Sequence, residues 1–292
     1  MAQNENTALE VTAPRSVKTS RIISQIILHT ILILGSAAMI IPFLWMISTS
    51  LKDFGQVFII PPKWIPDPIM WSNYPNAWNA LPFGNAYLNS IKIAVIVVAV
   101  QLLTASMAAY AFSKLKFKGR DVLFTIFLAT MMIPGQVTMI PTFILMKYLG
   151  WIDTHLPLIV PGALFSAFGV FLLRQFMMSL PKELDEAAIM DGANHWTIYW
   201  RISLPLIVPA MTALGIFTFM GTWNNFMGPL IYLNTPEKFT VPMLLNQFKG
   251  QYITDWTLMM AASAIAIVPV LIIYLIGQRY IIEGIALTGM KA

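Results

Sequence analysis

The stretch LPKELDEAAIMDGANHWTIYWRISLPLIVPA, Leu180 to Ala210, is a polar island between two apolar runs, and it decides how the chain is read. Pro181 suits the opening of a helix, because its missing N–H is one that a first turn leaves unpaired anyway. Glu183, Asp185 and Glu186 then fall where the positive end of the helix dipole stabilises carboxylates. Gly192 can close the helix in the left-handed conformation that other residues resist. The spacing predicts a short helix beside a membrane, with Ala187 and Ala188 as a smooth surface and Leu184 and Met190 as apolar anchors. A helix parked on anionic lipid carries Lys and Arg on its polar face, whereas this one carries acids, which favours a protein groove as its seat.

Outward from this island the chain is built for lipid. Of 292 residues 58% are hydrophobic and only 11% are charged, against about 25% charged in a soluble domain. A helix needs about 20 apolar residues to cross the hydrocarbon core. Six segments supply them, at 22–48, 90–112, 122–146, 156–176, 204–223 and 257–281. The fold class expected is therefore an all-α membrane protein of six transmembrane helices. Pro134 and Pro141, Pro209, and Pro269 sit inside the third, fifth and sixth segments, where freed carbonyls need partners from neighbouring helices, so bends within a packed bundle are expected.

Lys and Arg are retained on the cytoplasmic side of short loops. With the N-terminus inside, that side collects Arg15, Lys18, Arg21, Lys114, Lys116, Lys118, Arg120, Arg174, Lys182, Arg201, Arg279 and Lys291, against Lys52, Lys63, Lys147, Lys238 and Lys249 outside. Both termini are expected in the cytoplasm, and the formal net charge of +5 needs no nucleic acid to explain it. Residues 1–21 read as a cytoplasmic tail, followed by a transmembrane domain over 22–292. The apolar run at 22–47 exceeds the 7 to 15 residues of a cleavable signal core, so it is expected to remain as a span. Two external loops, 51–89 and 228–256, are long enough to carry function. The first holds Pro61, Pro62, Pro66, Pro68, Pro75 and Pro82 around Trp64, Trp71 and Trp78, a composition that favours extended or turn structure at a membrane interface.

Enzymatic chemistry finds no footing. There is no cysteine, no phosphate-binding Gly-x-x-x-x-Gly-Lys-Ser/Thr loop, no His-Glu-x-x-His helix and no Gly-x-Ser-x-Gly elbow. His29, His155 and His195 lie on separate elements, so neither a catalytic nor a metal site is expected. The spans carry no acid or base near mid-membrane, as an ion-coupled carrier would require. Energy must come from another subunit, or the chain is a passive channel. Side chains suited to a sugar, by stacking or by amide and hydroxyl hydrogen bonds, are Tyr110, Gln136, Trp223, Asn224 and Asn225. Each can equally serve as an interfacial anchor or an interhelical bond.

Glu186, Ala187, Ala188, Asp191, Gly192 and Ala193, followed by Trp196, Trp200, Arg201, Ile202, Leu204, Pro205 and Pro209, resemble the EAA loop of ABC importer membrane subunits. Trp223, Asn224, Asn225 and Phe226, then Gln278, Arg279 and Tyr280, then the tail at 284–292, resemble the six-span subunit of maltose-type sugar permeases. This resemblance implies the type I ABC importer permease fold in a bacterial cytoplasmic (inner) membrane. It implies a heterodimer with a second, related permease subunit, two ATPase subunits that bind ATP and magnesium, and an external substrate-binding protein, with no cofactor in this chain. The coupling loop would be 177–203, with Glu186, Ala187, Ala188, Asp191 and Gly192 seated in the ATPase. The cytoplasmic tail at 283–292 would bring Gly289, Met290, Lys291 and Ala292 to the ATPase interface, and the loop at 228–256 would probe the binding protein. The substrate implied is a di- or oligosaccharide, with glycerol phosphate or another polyol derivative as the alternative.

Overall fold

The computed structural model describes residues 15–250 and 254–289, with side chains described over 22–250 and 254–279. Among the described residues the regular structure is helical apart from one isolated bridge between Lys249 and Thr254. In chain order the helices are α1 (Arg15–Ser50), α2 (Asn73–Ala80), α3 (Phe83–Lys114), α4 (Arg120–Ala129), α5 (Gly135–Tyr148), α6 (Leu156–Leu164) and α7 (Ala167–Ser179). They continue with α8 (Lys182–Met190), α9 (His195–Ile198), α10 (Leu204–Leu206), α11 (Val208–Trp223), α12 (Met227–Tyr232), α13 (Val241–Gln247) and α14 (Trp256–Gly289).

Four stretches are long and apolar enough to cross a membrane: Ile22–Ser50, Phe83–Lys114, Leu156–Ser179 and Trp256–Arg279. The third and fifth expected spans are each two helices, so the count reaches six when each bent pair is taken as one span. Pro134 stands at the first break, where α4 and its closing 3₁₀ turn meet α5 at 99°. Pro209 stands just past the second, where the stretch His195–Leu206 meets α11 at 74°. The expected bends at these two prolines are therefore sharp corners, because each ring removes a donor and crowds the preceding turn.

α1 is apolar on every side and keeps Ile22, Ile33, Leu34 and Met39 more than half exposed, as expected of a helix whose solvent is lipid. It lies along α14. The hub is α3, against which α6, α7 and α11 pack. Its inward face repeats small residues, Ala86, Ser90, Ala94, Ala105 and Ala109, which let neighbouring backbones come close. Where α6 breaks from α7, Thr104 donates to the Ala163 carbonyl at 2.8 Å and Gln101 donates to the Ser166 hydroxyl at 2.7 Å. These bonds from α3 satisfy polar groups that the break would otherwise leave bare in lipid.

The core divides between the two ends. At the end where α3 begins, Phe83, Phe219, Trp223, Leu233, Phe239 and Leu244 pack together. At the end where α3 finishes, Tyr110, Phe124, Leu173, Met177, Ile198, Tyr199 and Leu214 do so. The segment after α1 is more ordered than its prolines suggest. It carries α2, with Pro75 tolerated in the first turn, and Asn73 donates to the carbonyls of Ser50 at 2.9 Å and Lys52 at 2.8 Å. Lys52 is fully buried there, with its ammonium 3.9 Å from the centre of the Trp45 ring.

Candidate functional site

The acid-rich helix forms where the sequence places it. α8 starts after Pro181 and carries Glu183 and Asp185 in its first turn. Gly192 takes φ +81°, donating to the Ile189 carbonyl at 3.0 Å while Ala193 donates to that of Ala188 at 2.9 Å. This paired closure is the Schellman arrangement, and it ends the helix without loose carbonyls.

The inner face of α8 belongs to this chain. Asp185 pairs with Lys114 at the end of α3 at 2.7 Å, with both side chains four-fifths buried or more. Ala188 is buried beside Leu173, Met177 and Ile198, so it packs inward instead of offering a surface to a partner. Glu183, Glu186, Ala187 and Met190 make the outer stripe, at the three- and four-residue spacing of one helix face, and Met190 is 86% exposed. Asp191 and Gly192 are exposed at the end of that stripe.

The following segment anchors the loop to the bundle. Asn194 caps α9 by accepting from the Thr197 N–H at 2.9 Å. A π turn over Tyr199–Ser203 then rotates Tyr199 inward, where its hydroxyl shares a 2.8 Å hydrogen bond with Ser106. Trp196 and Trp200 stay about half exposed on the other side. Arg174 of α7 lies 4.1 Å from the Phe124 ring and donates to the Phe112 carbonyl at 3.2 Å, tying α4 and the end of α3 to the same unit.

The five expected pathway residues separate. Tyr110 sits one turn before Lys114, in an aromatic cluster with Tyr199 at 5.5 Å, and its hydroxyl lies 3.4 Å from His195 Nδ1. Trp223 is a core residue, stacked on Phe219 and donating to the Ala266 carbonyl at 3.2 Å. Asn224 is exposed where α11 ends. Gln136 and Asn225 do come together, in an open groove of about 520 Å³ between α5 and α12. Thr138, Thr142 and Tyr232 also line it, and sequence reasoning missed them. The polar spacing over 136–142 was a usable signal, but only once Pro134 is known to start a new helix there. Among the described residues no Lys, Arg, Asp or Glu lines this groove. Of the expected tail contacts, Gly289 is the last residue of α14, while Met290, Lys291 and Ala292 lie outside the described residues.

Residues 101–286 match the family model described as binding-protein-dependent transport system inner membrane component. The diacetylchitobiose uptake system permease protein NgcG of Streptomyces coelicolor is 32% identical over 261 residues, which cover 88% of this chain and 86% of that protein. The arabinooligosaccharides transport system permease protein AraQ of Halalkalibacterium halodurans is 37% identical over 203 residues, covering 70% and 72% of the two chains. Among solved structures, a chain of a bacterial ABC transporter involved in the import of the acidic polysaccharide alginate superposes with TM-score 0.78 at 26% identity, covering 92% of this chain and 99% of that one. The chain belongs to the binding-protein-dependent transport system inner membrane components, the membrane-spanning permease subunits of ABC transporters.

Proposed function

We propose that this chain is one of two permease subunits of an ATP-driven importer for a neutral di- or oligosaccharide, driven through α8 by a partner ATPase. The observation that carries the reading is the division of labour on α8. Its inner face is fixed to α3 by the Lys114–Asp185 pair and to α7 and α9 through the buried Ala188. Its outer stripe of Glu183, Glu186, Ala187 and Met190 is left exposed among the described residues. A helix rigid on one side and open on the other can be moved by a second protein and carry the bundle with it.

In this reading the α8 end faces the cytoplasm, in a bacterial inner membrane, and both termini lie there. Support comes from the clustering of Lys114, Lys116, Lys118, Arg120, Arg174, Lys182 and Arg201 at that end. The segment over 234–250 then faces outward as the surface for a substrate-binding protein. ATP and magnesium belong to two ATPase subunits, which Met290 to Ala292 would also approach. Gln136 and Asn225 supply hydrogen bonds to sugar hydroxyls from one wall, and the second permease subunit closes the other. A groove without Lys or Arg fits a neutral sugar better than a polyol phosphate or a uronate.

The test is ATPase activity of the purified complex in proteoliposomes with its binding protein, across neutral mono-, di- and oligosaccharides, glycerol phosphate and a uronate oligosaccharide. Stimulation by a neutral di- or oligosaccharide supports the reading. Stimulation by an anionic substrate alone overturns the substrate class, and stimulation by none overturns the sugar assignment.

A further inference from the structure

Beyond the groove, at the end opposite α8, one residue gathers the chain. Asp153, between α5 and α6, takes φ +57°, a left-handed conformation that residues other than glycine seldom adopt. Its carboxylate accepts from the N–H groups of Asn234 and Thr235, each at 3.0 Å, from the Thr235 hydroxyl at 2.5 Å and from the Lys238 ammonium at 2.9 Å. Lys238 also donates to the Asp153 carbonyl at 2.7 Å, and the Asp153 N–H donates to the Tyr232 carbonyl at 2.7 Å. Around this knot His155 Nε2 lies 2.9 Å from the Lys238 carbonyl, Asn89 donates to that of Glu237 at 2.8 Å, and the Ser90 hydroxyl accepts from the Val241 N–H at 2.9 Å.

The placement matters more than the number of bonds. Tyr232 lines the pathway groove, while α13 just beyond the knot presents the exposed Asn246 and Gln247. The knot therefore stands between the groove and the outward segment, fixing one relative to the other.

We propose that Asp153 is a positioning residue that presets the segment over 234–250 in the shape a substrate-binding protein docks against. The inference rests on the importer reading and on that segment being the docking surface. Without the carboxylate, the backbone N–H groups of Asn234 and Thr235 lose their acceptor and the segment samples other shapes. Docking then requires ordering it again, which raises the concentration of binding protein needed.

The experiment uses the full complex in proteoliposomes and titrates sugar-loaded binding protein against ATPase rate. D153A is expected to raise the half-stimulating concentration about fivefold or more, with basal ATPase activity, complex yield and maximal rate unchanged. D153N keeps an acceptor oxygen and tolerates the left-handed backbone, so it should recover most of the lost affinity. If D153A yields no complex, K238M replaces it, with a smaller shift in the same direction. Q247W at the outward surface tests the docking assignment separately. An unchanged half-stimulating concentration in D153A and K238M, with Q247W shifted, overturns the role of Asp153 and leaves the importer reading intact. No shift in any of the three removes the docking surface, and this inference with it. A lowered maximal rate at unchanged half-stimulation also overturns it, because Asp153 would then act on transport and not on docking.

Discussion

His155 and Asp153 sit within one knot and answer to acid over different ranges. Burial holds the His155 imidazole below its ordinary range, and the nearby Lys92 and Lys238 ammoniums push the same way, against the Asp153 carboxylate and the hydrogen bond to the Lys238 carbonyl. The folded state favours the neutral imidazole, so the stability His155 contributes is complete above about pH 6.5 and drains away as pH falls. The Lys238 ammonium, the Thr235 hydroxyl and the backbone N–H groups hold the Asp153 carboxyl well below the usual carboxylate range. Its contribution is complete above about pH 4 and is lost only in stronger acid. A dye attached at N246C should therefore gain mobility, read as falling anisotropy, between pH 7.5 and 5.5. H155Q should flatten that change while leaving the loss in stronger acid. An unchanged slope in H155Q would assign the first step to another group.

At the scale of elements, α8 is held by one ion pair, one buried alanine and one glycine. D185N leaves the Lys114 ammonium without its charge partner in a site where both side chains are mostly buried, and should cost about 2 kcal/mol in thermal unfolding of the complex. The pair of substitutions K114M and D185L, which removes both charges, should recover much of that loss. G192V forces a β-branched residue into φ +81° and should fray the end of α8, lowering sugar-stimulated ATPase activity while basal activity persists. E186K changes only the outer stripe. It should leave the melting temperature as it was and weaken the ATPase subunit's retention during purification; full retention with full transport would remove α8 as the docking element. Ala187 and Ala188 illustrate what local sequence leaves open. Both fit a smooth helix surface, and only the packing of α8 on α7 and α9 decides that Ala188 turns inward.

For the molecule as a whole, the absence of cysteine makes its orientation directly measurable. Lys118 and Gln247 are both exposed at opposite ends of the bundle. In intact cells a membrane-impermeant maleimide should label Q247C and spare K118C, with K118C becoming reactive once the membrane is permeabilised. The reverse pattern would place the α8 end outside. Composition and the apolar runs were enough to establish a helical membrane bundle, because a backbone in lipid must pair its own polar groups and a helix does so segment by segment. The acids after Pro181 and the glycine at position 192 were enough to locate α8 and its closure, because capping and dipole effects act within one turn. The meeting of Gln136 with Asn225, the burial of Trp223 and the knot at Asp153 were settled only by tertiary structure. Each depends on which distant segments share a neighbourhood: Asp153 meets Thr235 across 82 positions of chain, and no local propensity carries that information.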